Sequence, residues 1–357
     1  VDANTGTISN ILTHNTWYDP AGNMMMQLRA GSSSFIKPVY DRLNRETARY
    51  TGFYSSTPGY AQAADISGAT IVEQTETAYD EASNIIQTTR HKRFHNATGL
   101  GPLTQPGGTQ PQARLAFATM CPDGTGRQQA VAEYGTNGDV AFTRSPTIPA
   151  RSDTVLVNST AYNNPGEPYQ TIDPASTVTQ TTLDNAGRRI EIIRNYQQGQ
   201  PSTGDVNVTV QWTYTADDQT ATMKALNAAT GDQLTAWGYG TTLADSDVAR
   251  NDVESSVVFA DGRSVKYLLN RQSERKQITD QNGTVHAYDR DLLGREINDR
   301  VVTLGAGIDG TVQRIGRTFE VRGLLQNVTS YSSPVLGQGV VVNDVQRVYN
   351  SFEQPTT

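Results

Sequence analysis

Short runs of alternating apolar and polar residues set the rhythm of this chain. From Val206 to Tyr214, VNVTVQWTY, the residues Val206, Val208, Val210, Trp212 and Tyr214 point one way and Asn207, Thr209, Gln211 and Thr213 the other. A period of two is the side-chain period of a β-strand, so nine residues of strict alternation predict a half-buried strand. RRIEIIRNY, Arg188 to Tyr196, places Ile190 and Ile192 on one face, and MMMQL groups Met24, Met26 and Leu28. GVVVNDVQRVY, ending at Tyr349, is a further β-branched, strand-rich segment.

Between these runs one short motif keeps returning: an aromatic, an acid, two residues and a glycine. YDPAG starts at Tyr18, YDRLN at Tyr40, YDEAS at Tyr79, PDGTG at Pro122, YNNPG at Tyr162 and LDNAG at Leu183. YTADD starts at Tyr214, FADGR at Phe259, RDLLG at Arg290, FEVRG at Phe319 and YNSFE at Tyr349. The wider gaps correspond to two short units or to one unit with an insertion.

Each copy has a physical reading. With Asp19 as the first residue of a type I turn, its carboxylate accepts the backbone amide two residues on, Pro20 pre-sets φ, and Gly22 takes the left-handed conformation that closes a hairpin. Asn44 can take the place of glycine. Ser83, Asp218 and Glu353 are poorer substitutes there, and Pro165 sits where a type I turn disfavours proline. The corner residues singled out are Tyr18, Asp19 and Gly22; Tyr40, Asp41 and Asn44; Tyr79 and Asp80; Asp123 and Gly126; Tyr162 and Gly166; Asp184 and Gly187; Asp291 and Gly294; Phe319 and Gly323; and Tyr349.

Strand, corner, strand is therefore the unit, and the fold class is all-β: successive hairpins pair side by side into one antiparallel ribbon over residues 1–357. The recurring tyrosine falls at equivalent places in successive hairpins. Ring-on-ring stacking there would contribute roughly 0.5–1.5 kcal/mol per pair; the simpler reading is the β propensity of Tyr. About 22 strands at roughly 4.8 Å spacing make a ribbon of about 100 Å, too little to enclose a folded cargo in one turn. Open ends of such a ribbon recruit other strands, so filament formation is the alternative to closure.

Aromatic-Asp-x-x-Gly followed by Arg, Asn or Gln, at intervals of about 20–30 residues, resembles the RHS or YD-repeat family; YDPAGN, LDNAGR and DLLGRE match most closely, and the resemblance runs from Tyr18 to Phe352. It implies a β-ribbon that spirals into a hollow shell. In bacteria such shells enclose a C-terminal toxin, as in polymorphic toxins and insecticidal toxin complexes; animal teneurins use a similar shell in adhesion. The family's closing segment, rich in Asn, Tyr and Asp-Pro-x-Gly and carrying a self-cleavage site, has no counterpart; DPAS at Asp173 is the nearest fragment. The chain resembles shell wall without plug, protease or toxin.

Composition narrows the partners. Charged residues are 18% of the chain and the net charge is −7, which leaves no basic footprint for nucleic acid. No apolar run approaches the roughly 18 residues of a membrane span. The N-terminus VDANTGTISN lacks the basic start and apolar core of a secretory leader, and both ends read as an excerpt of a longer chain. The single cysteine, Cys121, excludes an internal disulfide framework and reads as a small buried hydrophobe.

Three insertions interrupt the repeat, near 50–70, 96–112 and 228–253; the last, with LADSDVARNDV, suggests a short helix. Their aromatics Tyr54, Tyr60, Trp237 and Tyr239 are candidates to stack on sugar rings, against the plainer expectation that they pack on the sheet. His91 and His95 share a metal-like spacing, but Lys92 and Arg93 lie between them, so a solvated basic patch is the better reading. No catalytic, cofactor or metal site emerges. The expected role is a structural, non-enzymatic wall segment of a large secreted or cell-surface bacterial protein. It would enclose toxin cargo or build an extracellular assembly, its partners being other repeats or copies of itself. The alternatives are a glycan- or cell-binding module, a filament, and an enzyme whose residues converge only in the fold.

Overall fold

The structure is a computed structural model that describes residues 14–56 and 58–356; the N-terminal stretch read for a leader lies outside them. The protein is all-β, and apart from one helical turn, Tyr60–Ala64, and one 3-10 turn, Asn137–Asp139, its regular elements are strands. The chain divides into two compact units, Val1–Gln180 and Thr181–Thr357. Within each, strands adjacent in sequence pair antiparallel, as in Glu73↔Lys92 to Tyr79↔Ile85 of the first unit and Arg314↔Tyr331 to Phe319↔Leu325 of the second. Because each strand reverses the last, alternate connections fall on the same edge of the ribbon. One edge carries most of the Asp-x-x-Gly corners and the opposite edge most of the longer connections; the corners at Asp173, Phe259 and Asp280 lie on the second edge and the 242–249 connection on the first.

The first unit has a roofed core. Met26, Leu28, Phe35 and Ile71 lie on one face of the early strands and are buried. Two long connections, 54–69 and 94–112, cover them and contribute Tyr54, Ala63, Ala69 and Leu103 to the same cluster. Strand Glu46–Phe53 runs well into the expected insertion, which shortens it to 54–69. The backbone must approach closely there: a Cβ on Gly52 would lie 2.3 Å from the Thr70 carbonyl oxygen. A smaller cluster of Cys121, Ala130, Ala132 and Val157 follows.

Lys37 is buried in this unit, a feature the sequence did not announce. Its ammonium donates to the carbonyl oxygens of Ala63 and Ala64, the last of the helical turn, and so satisfies groups a helix end leaves unpaired. Desolvation lowers its pKa and the nearby Asp65 carboxylate opposes that shift.

The second unit is built differently. Of its described apolar residues only Val257 and Leu269 are buried, and its strands are half-buried along most of their length. Stretch 228–253 is not an insertion: strands Gln233–Thr241 and Arg250–Val258 run through it. The suggested helix there is absent. Asp245 instead accepts the Thr242 amide at 3.0 Å, a local side-chain bond that competes with helix formation, and the Ser246 hydroxyl accepts the Leu269 amide at 3.0 Å.

Candidate functional site: the corner ladder

The same corner closes again and again. At Asp19, Asp41, Asp80, Asp123, Asn163 and Asp173 in the first unit, the amide of residue i donates to the carbonyl of i+4, and the amide of i+3 donates to the carbonyl of i. Asp184, Thr215, Phe259, Asn270, Asp280, Asp291, Glu320 and Asn350 do the same in the second. This is a type I turn followed by a left-handed residue and a bulge. The left-handed place is taken by Gly22, Gly126, Gly166, Gly187, Gly294 and Gly323, and by Asn44. Ser83, Asp218 and Glu353, the poorer substitutes, adopt it too, at φ of 68°, 65° and 63°. The register shift falls just before the corner, as between Val39 and Tyr40 or Ala78 and Tyr79. Three corners escaped the sequence reading: Asp173, Asn270 and Asp280.

The leading side chain explains why it is acidic. Asp41 Oδ1 accepts the amides of Leu43 (2.8 Å) and Arg45 (3.0 Å). Asp123, Asp184 and Asp291 hold their corners the same way. Their Oδ2 atoms accept from Nε of Arg127, Arg188 and Arg295, as Asp41 does from Arg45, at 2.7–2.8 Å. These bonds hold the carboxyls below the usual carboxylate range, led by the Arg188 side chain at Asp184, the Arg295 side chain at Asp291 and the Arg45 amide at Asp41. Pro165 has no amide to give Asn163, so that corner keeps only the Glu167 amide, at 2.8 Å. The turn nevertheless closes.

The i+4 residue reaches onward to the next corner on the same edge. Asn23 donates to Asn44 Oδ1 (3.1 Å), Arg45 to Ser83 Oγ (3.1 Å) and Arg188 to Asp218 Oδ1 (3.1 Å). Each acceptor is the left-handed residue of the following corner. Where that residue is glycine, the reaching group occupies the space a side chain would need: a Cβ on Gly126 would lie 2.9 Å from Asn84 Oδ1, and one on Gly294 3.2 Å from Glu274 Oε1.

The tyrosines complete the contact. Their rings do not stack on one another among the described residues, so the expected aromatic ladder is replaced by a cationic one. Arg45 lies over Tyr79, Arg127 over Tyr162 and Arg188 over Tyr214, each 4.7 Å from the ring centroid, and Arg295 lies 4.2 Å over Phe319. Each hydroxyl donates to the carbonyl one residue beyond the i+4 position of the preceding corner: Tyr79 to Glu46 (2.8 Å), Tyr162 to Gln128 (3.0 Å), Tyr214 to Arg189 (2.8 Å) and Tyr349 to Leu325 (2.8 Å). An arginine forks to its own aspartate on one side and covers the next tyrosine on the other, which lysine geometry does not allow. Tyr40 is half-buried and Tyr18 exposed.

One corner inverts the pair. At Asn270 the i+4 residue is Glu274, and at the next corner Arg290 stands in the tyrosine position. Arg290 Nε lies 3.3 Å from Glu274 Oε2, and its Nη2 reaches the Arg275 carbonyl that a tyrosine hydroxyl would take, at 3.4 Å. A cleft of about 600 Å³ lies beside Tyr288 and Arg290.

The candidate ligand-facing aromatics fare unevenly. Tyr54 is 6% exposed and donates to the Gln62 and Asp65 carbonyls at 2.8 Å, so it is core and faces no ligand. Tyr239 is half-buried, and its hydroxyl donates to the Thr220 carbonyl at 2.8 Å, which makes it one more ladder tyrosine. Trp237 is half-buried opposite Val257. Tyr60 is exposed at the start of the helical turn. His91 corrects the basic-patch reading: it is 6% exposed on the roofed face, 3.6 Å from Glu76, with neither ring nitrogen hydrogen-bonded, while His95 lies outside the strand and is exposed. Cys121 is buried. No group of three or more metal-ligating side chains converges among the described residues, and no described helix is long and apolar enough to cross a membrane.

Fold and ladder together define a β-hairpin repeat protein in which one kind of contact recurs between successive hairpins. No family model matches the sequence, and no curated protein matches it. Solved structures similar to the chain include the crystal structure of TcdB2-TccC3, at TM-score 0.47 and 12% identity over 95% of this chain and 17% of that one. The TcdB2-TccC3-Cdc42 crystal structure is similar at TM-score 0.46 and 12% identity, over 95% of this chain and 17% of that one. A Tc holotoxin pore from Photorhabdus luminescens is similar at TM-score 0.31 and 8% identity, over 95% of this chain and 20% of that one. This chain thus spans a fifth or less of those chains.

Proposed function

We propose that this chain is a section of RHS-type wall: a structural, non-enzymatic β-ribbon within a larger secreted or surface-displayed bacterial protein, whose work is to enclose cargo such as a toxin. The observation that carries this reading is the corner ladder. At Asp41, Asp123 and Asp184 a hairpin offers an arginine and a backbone carbonyl to the tyrosine of a following hairpin, a contact that can be repeated as hairpins are added. A ribbon built this way is suited to covering area. Its partners are further repeats of the same chain or copies of itself.

A filament is the second form the same ribbon can take. It is favoured by the strand Val341–Gln346, whose residues are exposed throughout and include Val341, Val342 and Val345. Glycan binding through the inserted aromatics has lost Tyr54 and Tyr239 to structural roles. Negative-stain electron microscopy of the purified chain is the test. Curved sheets, hollow particles or filaments are expected, and discrete compact monomers at all concentrations would reject the wall role. A glycan array with a specific hit abolished by Tyr60→Ala would reinstate the binding module.

A further inference from the structure

Asparagine followed by glycine is the pair most open to loss of a side-chain amide, because glycine, with no Cβ, leaves its backbone nitrogen unhindered. Two asparagines of the chain precede glycine, Asn137 and Asn282. Both glycines are exposed, as is Asn282, whereas Asn137 is half-buried. Exposure alone would make Asn282 the more reactive of the two. Hydrogen bonding reverses that order. Asn282 and Gly283 close the Asp280 corner, where the Asn282 amide donates to Asp280 Oδ1 at 2.9 Å and the Gly283 amide to the Asp280 carbonyl at 3.1 Å. The Asn282 side-chain oxygen accepts from Arg263 Nη1 at 3.0 Å, so the attacking nitrogen and the group it would attack are both held. The Gly138 amide, by contrast, donates to nothing among the described residues. It lies in the 3-10 turn just beyond strand Gln128–Gly135, where Asn137, Gly138 and Asp139 are all left-handed, at φ of 50°, 64° and 59°. Asn and Asp visit that region as single residues rather than in runs, so the turn is strained.

We propose that Asn137 is a site of spontaneous deamidation in the folded chain, and that the corner at Asp280 protects Asn282 from the same reaction. The proposal is independent of the wall role. The Gly138 nitrogen gives its proton to solvent and bonds to Asn137 Cγ. The Cγ–Nδ2 bond breaks, and Nδ2 takes a proton from water and leaves as ammonia. Water then opens the cyclic imide at either carbonyl, giving aspartate or isoaspartate at position 137. The change acts on the turn itself. The Asn137 side-chain amide donates to the carbonyls of Val140 at 3.2 Å and Ala141 at 3.5 Å. A carboxylate in its place has no proton to donate and leaves those two carbonyls without that donor, so the turn loosens after conversion. Phe142, stacked on Phe117 at 4.7 Å and set edge-on to Tyr134 at 4.6 Å, stays seated and confines the effect.

The test is incubation of the folded chain in mildly alkaline buffer, followed by digestion and peptide mass spectrometry, with the same chain in urea as control. In the folded chain Asn137 should convert about tenfold or more faster than Asn282, the factor expected from the bonds that hold Asn282 and Gly283. In urea the two rates should come together, since both are Asn-Gly pairs. Isoaspartate, read by a methyltransferase specific for it, should appear in the folded wild-type chain and vanish in Asn137→Ser. Hydrogen exchange of the converted chain should quicken at Asp139 and Val140 and stay unchanged in Ala113–Pro122; an unaltered turn would reject the loosening. Three results would overturn the proposal: Asn282 converting as fast as Asn137 in the folded chain, Asn137 converting only in urea, or the same ratio of rates in both conditions, which would trace the selectivity to flanking sequence.

Discussion

The two units spend the same repeat in different ways. The first lays its early hairpins under two long connections and buries Met26, Phe35 and Ile71 almost completely. The second has two buried apolar residues among its described positions and leaves its strands open on both faces to a degree the first does not. Yet both close the same corners, and both join them with an arginine, an aspartate and an aromatic ring. The ladder thus recurs with and without a roofed core. Burying a large apolar side chain contributes roughly 1.5–3 kcal/mol, while a cation over an exposed ring contributes about 0.5–1 kcal/mol. The first unit should therefore be the more stable, and the second should depend more on its corners.

The strongest way to break that comparison is Phe35→Ala. Removing a ring that is 1% exposed and packs 5.1 Å from Tyr54 should cost about 3–5 kcal/mol in urea unfolding. Hydrogen exchange should quicken in Glu46–Phe53 and Thr70–Tyr79 and stay unchanged in Leu325–Tyr331. Uniform quickening in both would mean that the units do not unfold separately. Next come the tyrosine hydroxyls. Tyr79→Phe and Tyr214→Phe should each lose about 1 kcal/mol, and the second should lower the melting temperature of its own unit more visibly. Arg295→Lys keeps the charge but gives up the fork and the planar contact with Phe319, and should cost about 0.5–1 kcal/mol. Full retention of stability would show that the ring contact is incidental.

The smallest expected effect is on pH. The corner carboxyls are held below their ordinary values, so their contribution is complete above roughly pH 4 and is lost as pH falls through their folded-state values. Acid titration of the urea midpoint should leave both units unchanged near neutrality and weaken them below about pH 4, the second earlier than the first. A midpoint insensitive to acid would remove the carboxylates from the ladder's energetics.

Much of the fold was legible because corners obey local chemistry: an acid that can bond amides two and four residues on, then a residue that tolerates positive φ. Asp19, Asp184 and Asp291 carry both signals in full. Asp173 and Asn270 gave the weakest signal, since Ile172 and Leu269 rather than an aromatic precede them and Ser176 and Ser273 rather than a glycine close them. Asp280, which closes on Gly283, carries the same local signal as Asp184 and Asp291, which also lack a preceding aromatic. Contacts between corners were less accessible. Nothing in the local sequence says that Arg45 will cover a ring 34 positions away, because the intervening connection has variable length. Tyr54 and Tyr239 misled for a related reason. An aromatic in a stretch that departs from the repeat reads as free, whereas Tyr54 plugs the roof of the core and Tyr239 had simply joined a hairpin with a longer loop. Buried Lys37 gave no signal, since its partners are backbone carbonyls.

The rule that a corner's fifth residue answers to the fourth residue of the next has an evolutionary corollary. A lineage can splice in, drop or shuffle a whole hairpin and need only match two side chains and one ring at the seam. Glu274 and Arg290 show that the same junction can be made by different chemistry. Kinship in proteins of this kind should accordingly be sought in the order of their junction pairs, since overall identity decays while the junctions stay compatible.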